Sequence, residues 1–525
     1  MPTRPHLGRS AGLVLPLFSL RSTRDWGIGE IGDLPAFGAW LRAAGFSALQ
    51  LLPVSTLPPG ESSPYSALSA MAIDPSYVSM ADVHDFRALG GDIRLPLADQ
   101  ISLRAARAAG RVSYALVRQV KESALRLAFS LFYDVDWVRS TARAGSFATF
   151  VSWEDWWLED YALYCALRAA HGGRPWSEWP ADVRERRPDA LAAARESLER
   201  EILFHQYTQW IADEQWASAR EGLGDLRLFG DFPFMVGIDS ADVWAHQHLF
   251  RFDRTTGTPP DAFSATGQDW GLPVYRWDVM AREHDGWLRQ RARRMGRLFD
   301  GYRVDHLVGF FRTYSRPAGE VVGGFEPADE ADQIAQGERI LTLFKDTGSD
   351  ITAEDLGLIP DFVRDSLERT ALPGYKVIRW ERAWHQPGQP FIAPERFPIV
   401  SVATTSTHDI EPIALWWDIA SSEEKTAFLA TLPLRPAEPR RTADLPYDAS
   451  LHQRMLESAY AAGSRLLLVP MQDACGWRDS INVPGTVDGT NWSWRIDAPV
   501  EQLATTYPAM ATTLRELAAG SNRLP

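Results

Sequence analysis

Residues Gly301–Leu307 read GYRVDHL, and this stretch predicts the fold of the chain. A short apolar run ends in the polar pair Asp305-His306, a pattern typical of a buried parallel strand. The same pattern recurs in ITAEDLG at Ile351–Gly357. Helical patterns flank the two runs at Gly286–Phe299 and Ile359–Thr370. Strands that alternate with helices predict an α/β chain with a parallel sheet.

Eight candidate strands of this kind occur along the chain. They are Gly12–Leu17, Ser47–Val54, Arg227–Phe234, Gly301–Leu307, Asp350–Leu356, Lys376–Trp380, Ile399–Thr405 and Arg465–Met471. Further helical patterns lie between them, for example at Asp33–Ala44 and Ser421–Thr431. Eight strand–helix alternations predict the (β/α)₈ TIM-barrel class of α/β folds.

The spacing of the strands predicts two large insertions in one catalytic domain that covers residues 1–525. The first, at approximately 55–225, has helical periodicity at Tyr114–Leu131, Glu154–Ala170 and Asp189–Arg220 and is expected to form a mostly helical subdomain. The second, at 237–285, is rich in Gly, Pro, Asp and aromatic residues and is expected to form active-site loops. A Gly/Pro/Asn loop and a closing helix near Ala498–Ala519 follow the eighth strand, so we expect no C-terminal β-domain.

The composition excludes several classes of function. The chain has 525 residues, 45% of them apolar, and a net charge of −14, which argues against nucleic acid and anionic membranes as partners. Two cysteines, Cys165 and Cys475, form no disulfide framework and fit a reducing compartment. The amino terminus lacks the pattern of a signal peptide, and no apolar run is long enough for a membrane span. We therefore expect a cytoplasmic protein.

Carboxylates lie at the ends of the candidate strands, where barrel enzymes place their catalytic groups. Asp231 ends the third strand, Asp305 the fourth and Glu354 the fifth, and Asp409 follows the seventh. Two carboxylates that converge on one mouth can cleave a glycosidic bond, one as nucleophile and the other as acid and base. A single Asp at a strand end could equally cap a helix or join a loop salt bridge. Four such residues at four strand ends favour a catalytic site.

A series of motifs in a fixed order resembles the amylomaltases, the bacterial 4-α-glucanotransferases related to plant disproportionating enzyme, within the wider α-amylase clan. The motifs are GLVLPLFSLRSTRDWGIGEIGDL (Gly12–Leu34), SPYSALSAMAIDP (Ser63–Pro75), GDFPFMVGIDSADVWAH (Gly230–His246), PPDAFSATGQDWGLPVY (Pro259–Tyr275), RVDH (Arg303–His306), AEDLG (Ala353–Gly357), THD (Thr407–Asp409), PMQD (Pro470–Asp473) and NVPGT with NW and WR (Asn482–Arg495). The resemblance runs nearly end to end. It implies transfer of α-1,4-glucan segments by a retaining double displacement.

The resemblance implies a role for each of three residues at the reacting bond. Asp305 is similar to the nucleophile of the family, and Arg303 is expected to keep its carboxylate ionised and aimed. Glu354 is similar to the general acid/base.

Further residues match the family positions that bind the sugar ring. Asp409 matches the third catalytic acid, which with His408 grips the ring hydroxyls. Asp231 matches a residue that hydrogen-bonds the same ring, and Tyr65 matches one that stacks on it.

Gln268 and Trp270 match the flexible loop that covers the glucan chain in this family. Exclusion of water by that loop would favour a sugar over water as the acceptor.

The chain departs from the family at two places, which indicates a divergent member. Leu307-Val308 follows Asp305-His306 where Phe-Arg is usual, and Ile410 follows Asp409 where Asn is usual. These changes leave the acids in place and bear on the neighbouring subsites.

Other functions fit the sequence less well. Gly27–Gly32 matches the GxGxxG pattern of dinucleotide-binding folds but does not directly follow a strand. His246 and His248 have no Cys or acidic partner at metal-ligand spacing. The alternatives are a retaining α-glucosidase or amylase-type hydrolase of the same clan, and a glucan-binding module without activity.

We expect no metal and no organic cofactor, because the carboxylates supply both nucleophile and proton. The expected partners are α-1,4-glucans and maltooligosaccharides, with glucose as an acceptor. We expect a monomer that binds no nucleic acid and no membrane.

Overall fold

The computed structural model describes residues 8–260, 267–432, 443–486 and 489–525. Parts of two quoted motifs, Pro259–Tyr275 and Asn482–Arg495, therefore lie outside the described residues, as does the start of the amino-terminal segment. The nine predicted site residues all lie within them.

Eight parallel strands close into a barrel, which confirms the predicted (β/α)₈ class. With the strands of the described residues numbered in chain order, the barrel strands are β1 (Ser10–Val14), β2 (Ala48–Gln50), β3 (Arg227–Phe232), β6 (Gly301–Val304), β9 (Asp350–Ala353), β10 (Gly374–Val377), β11 (Ser401–Thr404) and β12 (Leu466–Pro470). Each overlaps one of the eight predicted runs. The barrel closes where β1 pairs with β12, with Ser10 opposite Leu466.

The register of the strands places several of the predicted site residues side by side. Asp231 of β3 lies opposite Arg303 of β6, and Arg303 lies opposite Thr352 of β9. These strands are almost wholly buried because helices cover their outer faces, which explains their continuous apolar sequences. The polar residues therefore collect at the carboxyl ends of the strands, at one mouth of the barrel.

Helices surround the barrel and fill the insertions. The α-helices of the described residues are Leu34–Ala43, His84–Leu89, Leu97–Ala108, Tyr114–Phe132, Ala142–Ala170, Ala181–Arg184, Pro188–Ser197, Glu199–Gly222, Ala241–Ala245, Trp277–Arg282, Gly286–Leu298, Val308–Phe311, Glu330–Lys345, Asp361–Thr370, Ile413–Ile419, Ser422–Leu429, Ala449–Ala461, Met471–Cys475, Leu503–Thr506 and Pro508–Gly520. Short 3₁₀ turns lie between several of them.

The segment between β2 and β3 is mostly helical, and two of its helices differ from the predicted bounds. One begins at Ala142 rather than Glu154, because Thr141 caps it by accepting a hydrogen bond from the Ala144 backbone. The stretch predicted as one helix at Asp189–Arg220 is two helices, which meet at Leu198.

The segment 237–285 was predicted to form loops, and the structure corrects this prediction. It contains β4 (Phe250–Thr258) and β5 (Gln268–Tyr275). These strands join β7 (Thr313–Pro317) and β8 (Gly324–Glu326) in an antiparallel sheet of order β5-β4-β7-β8. β4 pairs with β5 on one side and with β7 on the other, and β7 and β8 follow the barrel strand β6, so half of the hydrogen bonding of β4 comes from a distant part of the sequence.

Among the described residues after β12 there are helices and irregular segments and no strand. No helix in the described part of the chain is both long enough and apolar enough to cross a bilayer.

Candidate active site

Arg303 lies at the centre of the barrel mouth and contacts three carboxylates. Its Nη1 donates to Asp231 Oδ2 at 2.5 Å, and its Nη2 lies 3.0 Å from both Asp305 Oδ1 and Glu354 Oε2. Arg303 and Asp305 are positions i and i+2 of one extended segment, so their side chains point to the same face of the sheet. Only 5% of the Arg303 side chain is exposed. One buried guanidinium therefore organises the three predicted acids, one within β3 and the others directly after β6 and β9.

The shared contact limits the distance between Asp305 and Glu354. Because Asp305 Oδ1 and Glu354 Oε2 are each 3.0 Å from the same nitrogen, these two oxygens are at most 6.0 Å apart. Carboxyl groups of retaining glycosidases lie about 5–5.5 Å apart, and those of inverting enzymes about 6.5–9.5 Å. About a fifth of each side chain is exposed, 22% for Asp305 and 21% for Glu354, so both are reachable from solvent. The geometry fits the retaining class.

The backbone after Asp305 also holds Glu354. His306 has a φ of +44°, in the left-handed region that is uncommon for residues other than glycine. In this conformation its backbone N–H donates to Glu354 Oε2 at 2.7 Å. Its ring packs against Phe234, with centroids 5.5 Å apart. Glu354 is thus fixed by a side chain from the same strand as Asp305 and by the backbone that follows it.

Tyr65 and His408 form the opposite wall of the site. The Tyr65 hydroxyl donates to Asp231 Oδ2 at 2.8 Å and lies 3.0 Å from His408 Nε2. The two rings stack with centroids 5.4 Å apart, and Trp492 packs against both. His408 Nε2 also lies 3.1 Å from Asp409 Oδ2. This chain of contacts joins Asp409 to the cluster around Arg303.

Gln268 and Trp270 lie at the edge of the same site. The Trp270 ring meets the His306 ring edge to face at 4.9 Å, and its indole N–H donates to Gln268 Oε1 at 3.0 Å. Between them, Asp269 pairs with Arg316 of β7 at 3.0 Å. The structure therefore brings all nine residues predicted from the sequence to one mouth of the barrel.

The charges of the central pair depend on burial and on Arg303. Burial raises the pKa of Asp305 to about 8, and the neighbouring carboxylates add to this effect against the pull of Arg303. Burial acts on Glu354 in the same sense, but Arg303 and the His306 N–H outweigh it and lower its pKa. The pair therefore holds one proton over a wide range of pH.

The charges of the outer pair, Asp409 and His408, depend on burial and on each other. Burial opposes the charge of Asp409, but His408 and Asn482 hold the pKa of its carboxyl well below the ordinary value. Burial likewise lowers the pKa of His408, and Asp409 outweighs burial and raises it. Asp409 is thus an anion at neutral pH.

Sequence reasoning gave no role to two residues that contact the site. Asn482 Nδ2 donates to Asp409 Oδ1 at 2.7 Å, and the Trp492 ring lies 5.8 Å from both Tyr65 and His408. Both belong to the quoted motif at Asn482–Arg495, so the sequence pointed to these two residues but did not predict which side chains they contact. At the departures from the family, Leu307 is buried and its N–H donates to the Glu354 carbonyl, and Ile410 is half-buried.

The histidines considered for a metal have other neighbours. His246 packs against Trp287 at 6.1 Å, and His248 Nε2 lies 3.2 Å from Glu283. Within the described ranges, no cluster of three or more His, Cys, Asp or Glu side chains is arranged to hold a metal ion.

Comparison with known proteins gives one family. A family model described as 4-alpha-glucanotransferase matches residues 15–501. The 4-alpha-glucanotransferase of Thermus thermophilus is 34% identical over 99% of this chain and 100% of that protein. The enzyme of the same name from Chlamydia pneumoniae is 31% identical over 94% of this chain and 92% of its own length.

Solved structures agree with these sequence matches. Amylomaltase from Streptococcus agalactiae in complex with acarbose superposes with a TM-score of 0.83 and is 26% identical, over 98% of this chain and 100% of that one. Amylomaltase from Corynebacterium glutamicum has the same fold, with a TM-score of 0.82 at 23% identity over 97% of this chain and 75% of its own. The whole of the described barrel, the acids at its mouth and the family match lead to one conclusion: the chain belongs to the 4-alpha-glucanotransferase family.

Proposed function

We propose that the protein is a retaining 4-α-glucanotransferase that cuts α-1,4-glucan chains and passes the glucosyl segment to another sugar. The observation that carries the proposal is the contact of one Arg303 nitrogen with both Asp305 and Glu354 at 3.0 Å. The upper limit that this contact sets on the separation of those two oxygens fits the carboxyl spacing of retaining enzymes and is shorter than that of inverting enzymes.

Asp305 acts as the nucleophile and Glu354 as the acid and base. The Asp305 carboxylate attacks the anomeric carbon and forms an ester with it, while the glycosidic oxygen leaves with the proton of Glu354. The 4-hydroxyl of an acceptor sugar then attacks the same carbon, gives its proton to Glu354 and releases Asp305. Two inversions give net retention at the anomeric carbon.

Substrate must place the shared proton on Glu354. In the free site the proton belongs on Asp305, whose pKa is about 8. A bound donor changes this balance, because its glycosidic oxygen accepts a hydrogen bond from protonated Glu354, and positive charge that develops at the anomeric carbon favours ionised Asp305. The proton moves only a short distance, because Asp305 and Glu354 are held next to each other by their common contact with Arg303.

The sugar ring is held by Tyr65, Asp231, His408 and Asp409. Asp231 Oδ1 is buried and accepts no hydrogen bond from the described residues, so it is available to a sugar hydroxyl. Tyr65 offers an aromatic face, and 45% of the Asp409 side chain is exposed at the mouth. The anion of Asp409 suits a ring that gains positive charge in the transition state.

The segment that carries Gln268 and Trp270 favours transfer over hydrolysis. Gly267 and Gly271 flank it with φ values of +67° and +63°, which other residues adopt only with strain. This backbone carries Trp270 onto His306, beside the catalytic pair. A tryptophan in this position excludes water from the glucosyl-enzyme.

The substrates follow from this chemistry. We propose α-1,4-glucans and maltooligosaccharides as donors, and the same sugars or glucose as acceptors. We further propose that the enzyme acts in the cytoplasm, a compartment that its two unpaired cysteines fit, and that it acts as a monomer.

One experiment tests the proposed function. Pure protein is incubated with maltotriose, and chain lengths and reducing ends are followed together. A ladder of shorter and longer sugars at a constant number of reducing ends is the expected result. A rise in reducing ends without longer sugars would instead identify a hydrolase of the same clan.

A further inference from the structure

The loop at residues 405–413, here called the acid loop, carries His408 and Asp409 between β11 and the helix Ile413–Ile419. Residues 405–412 contain no regular secondary structure, and Ile413 begins the helix, so backbone ladders do not fix the loop. Its position must therefore depend on side chains that contact it from other elements.

The acid loop is held at both of its ends by one carboxylate, Asp473. Asp473 Oδ2 accepts hydrogen bonds from the hydroxyls of Thr405 and Ser406, both at 2.5 Å. Asp473 Oδ1 accepts from the backbone N–H of Ile413 at 2.7 Å. Thr405 is the first residue of the loop and Ile413 the last. This single side chain therefore fixes the distance between the two ends of the loop.

The environment of Asp473 is unusual for a carboxylate. Its residue exposure is 0%, and among the described residues its electrostatic partner is Arg379, which lowers the pKa of the carboxyl against the larger effect of burial. Burial of a carboxylate is costly, and three hydrogen-bond donors offset much of that cost here. Three donors also define its position closely, since each constrains a different direction around the carboxylate.

Two other contacts on the acid loop differ in kind. Arg379 donates to the Glu411 carbonyl and to Glu411 Oε2, both at 2.9 Å, but the Glu411 side chain is 44% exposed. Asn482 N–H donates to the His408 carbonyl at 3.2 Å, and its side chain contacts Asp409 directly. Of these groups, Asp473 alone reaches both ends of the loop.

We propose that Asp473 is a positioning residue for the sugar-ring site, which acts by fixing the acid loop so that His408 meets Tyr65 and Asp409 faces the bound ring. The proposal rests on the proposed function and deepens it. The contact at stake is the 3.0 Å approach of His408 Nε2 to the Tyr65 hydroxyl, with ring stacking at 5.4 Å. A displacement of the loop by about 1 Å would break it and would cost about 10²-fold in rate.

The test compares Asp473→Asn with Asp85→Asn. Asp85 is a suitable control, because it is also a buried carboxylate that accepts from a hydroxyl, that of Tyr207. It additionally pairs with Arg143 and lies in the helical segment between β2 and β3. We expect kcat for maltotriose to fall about 10²-fold in Asp473→Asn, with a smaller change in KM, and to stay within about twofold of the parent in folded Asp85→Asn. Ser406→Ala, which keeps the carboxylate and removes one donor, should give an intermediate loss.

The donor separates a positioning role from a loss of acid catalysis. The sugar ring must be bound and distorted whatever its leaving group, so Asp473→Asn should slow the reaction of α-glucosyl fluoride by a similar factor. A double-mutant cycle adds a second criterion: in an Asp409→Ala background, Asp473→Asn should cost less than about tenfold, because its effect passes through the residue already removed. Equal factors in both backgrounds would overturn the proposal, since a general loss of stability multiplies independently.

Acarbose binding by calorimetry gives a readout that needs no turnover. We expect the affinity to fall about tenfold or more in Asp473→Asn and to be unchanged in Asp85→Asn. If the parent binds acarbose but forms no new sugars from maltotriose, the glucanotransferase proposal fails. The positioning role of Asp473 is then still tested by the acarbose affinity of Asp473→Asn. Unchanged acarbose affinity in folded Asp473→Asn would refute the positioning role.

Discussion

Replacement of Glu354 by glutamine should separate nucleophilic attack from proton transfer. Both contacts that hold Glu354, from Arg303 Nη2 and from the His306 N–H, fall on Oε2. A glutamine can keep its carbonyl oxygen in that position and place its amide nitrogen where Oε1 was. The geometry of the pair is then preserved, and only the transferable proton is lost.

The size of the effect follows from this geometry. General acid catalysis is typically worth about 10²–10⁴-fold, which corresponds to about 3–5 kcal/mol of activation free energy. We expect Glu354→Gln to lose this factor with maltotriose. With α-glucosyl fluoride, whose leaving group needs no proton, Asp305 should still be glucosylated at nearly the parent rate. The adduct should then persist, because the base that activates the acceptor is absent.

Mass spectrometry of digested protein measures this outcome directly. Glucosyl mass is expected on the peptide that contains Asp305 in Glu354→Gln, and on no peptide in Asp305→Ala. Glu338→Gln is a suitable control, since Glu338 lies on the helix Glu330–Lys345, where it pairs with Arg369. Label on the peptide of Asp409 or Asp231 would refute the assignment of the nucleophile. Loss of less than about tenfold with maltotriose would refute the role of Glu354.

Three further predictions concern pH, water and metals. The active form of the Asp305–Glu354 pair carries one proton, so the pH profile of kcat/KM should be bell-shaped. Its alkaline limb should lie near the Asp305 pKa of about 8, and its acid limb below the ordinary glutamate pKa of 4.5. An alkaline limb that persists when Glu354→Gln reacts with α-glucosyl fluoride would contradict this origin. Trp270→Ala should raise the ratio of hydrolysis to transfer, measured as reducing ends per new bond, whereas Trp153→Ala, at a position 73% exposed, should not. Exhaustive chelation should leave the maltotriose rate unchanged, and a loss that one added divalent ion restores would disprove the metal-free mechanism.

The barrel could be predicted because its strands carry their own signal. A strand buried on both faces is a short apolar run, and the polar group at its carboxyl end marks the mouth, as at Asp305 and Glu354. The antiparallel sheet lacked such a signal, because β4 is mixed in polarity and has β5 on one side but β7, about sixty residues away, on the other. The burial of β4 shows no alternation, because its buried positions are set by the strands on either side of it.

The acids of the site could be predicted from the sequence, but the residues that hold those acids in place could be predicted less well. Asp305, Glu354 and Asp409 were found from residue type and position at strand ends. Asn482 reaches Asp409 from a Gly/Pro-rich loop 73 residues away, and no periodicity relates the two. The left-handed backbone of His306 is likewise invisible in the sequence, because histidine has no general preference for it over extended conformations.

The pairing of Ser10 with Leu466 has a consequence for how the protein forms in a cell. A ribosome that adds 5–20 residues per second needs about 20–90 s to make the chain between these two partners. Throughout that time β1 presents an unpaired edge, which is the kind of surface that invites aggregation and engages chaperones. The groups around Arg303 come from β3, β6 and β9, and the acid loop follows β11, so the full constellation assembles late in synthesis. The onset of glucan transfer during translation would therefore report the moment at which the ring of strands closes.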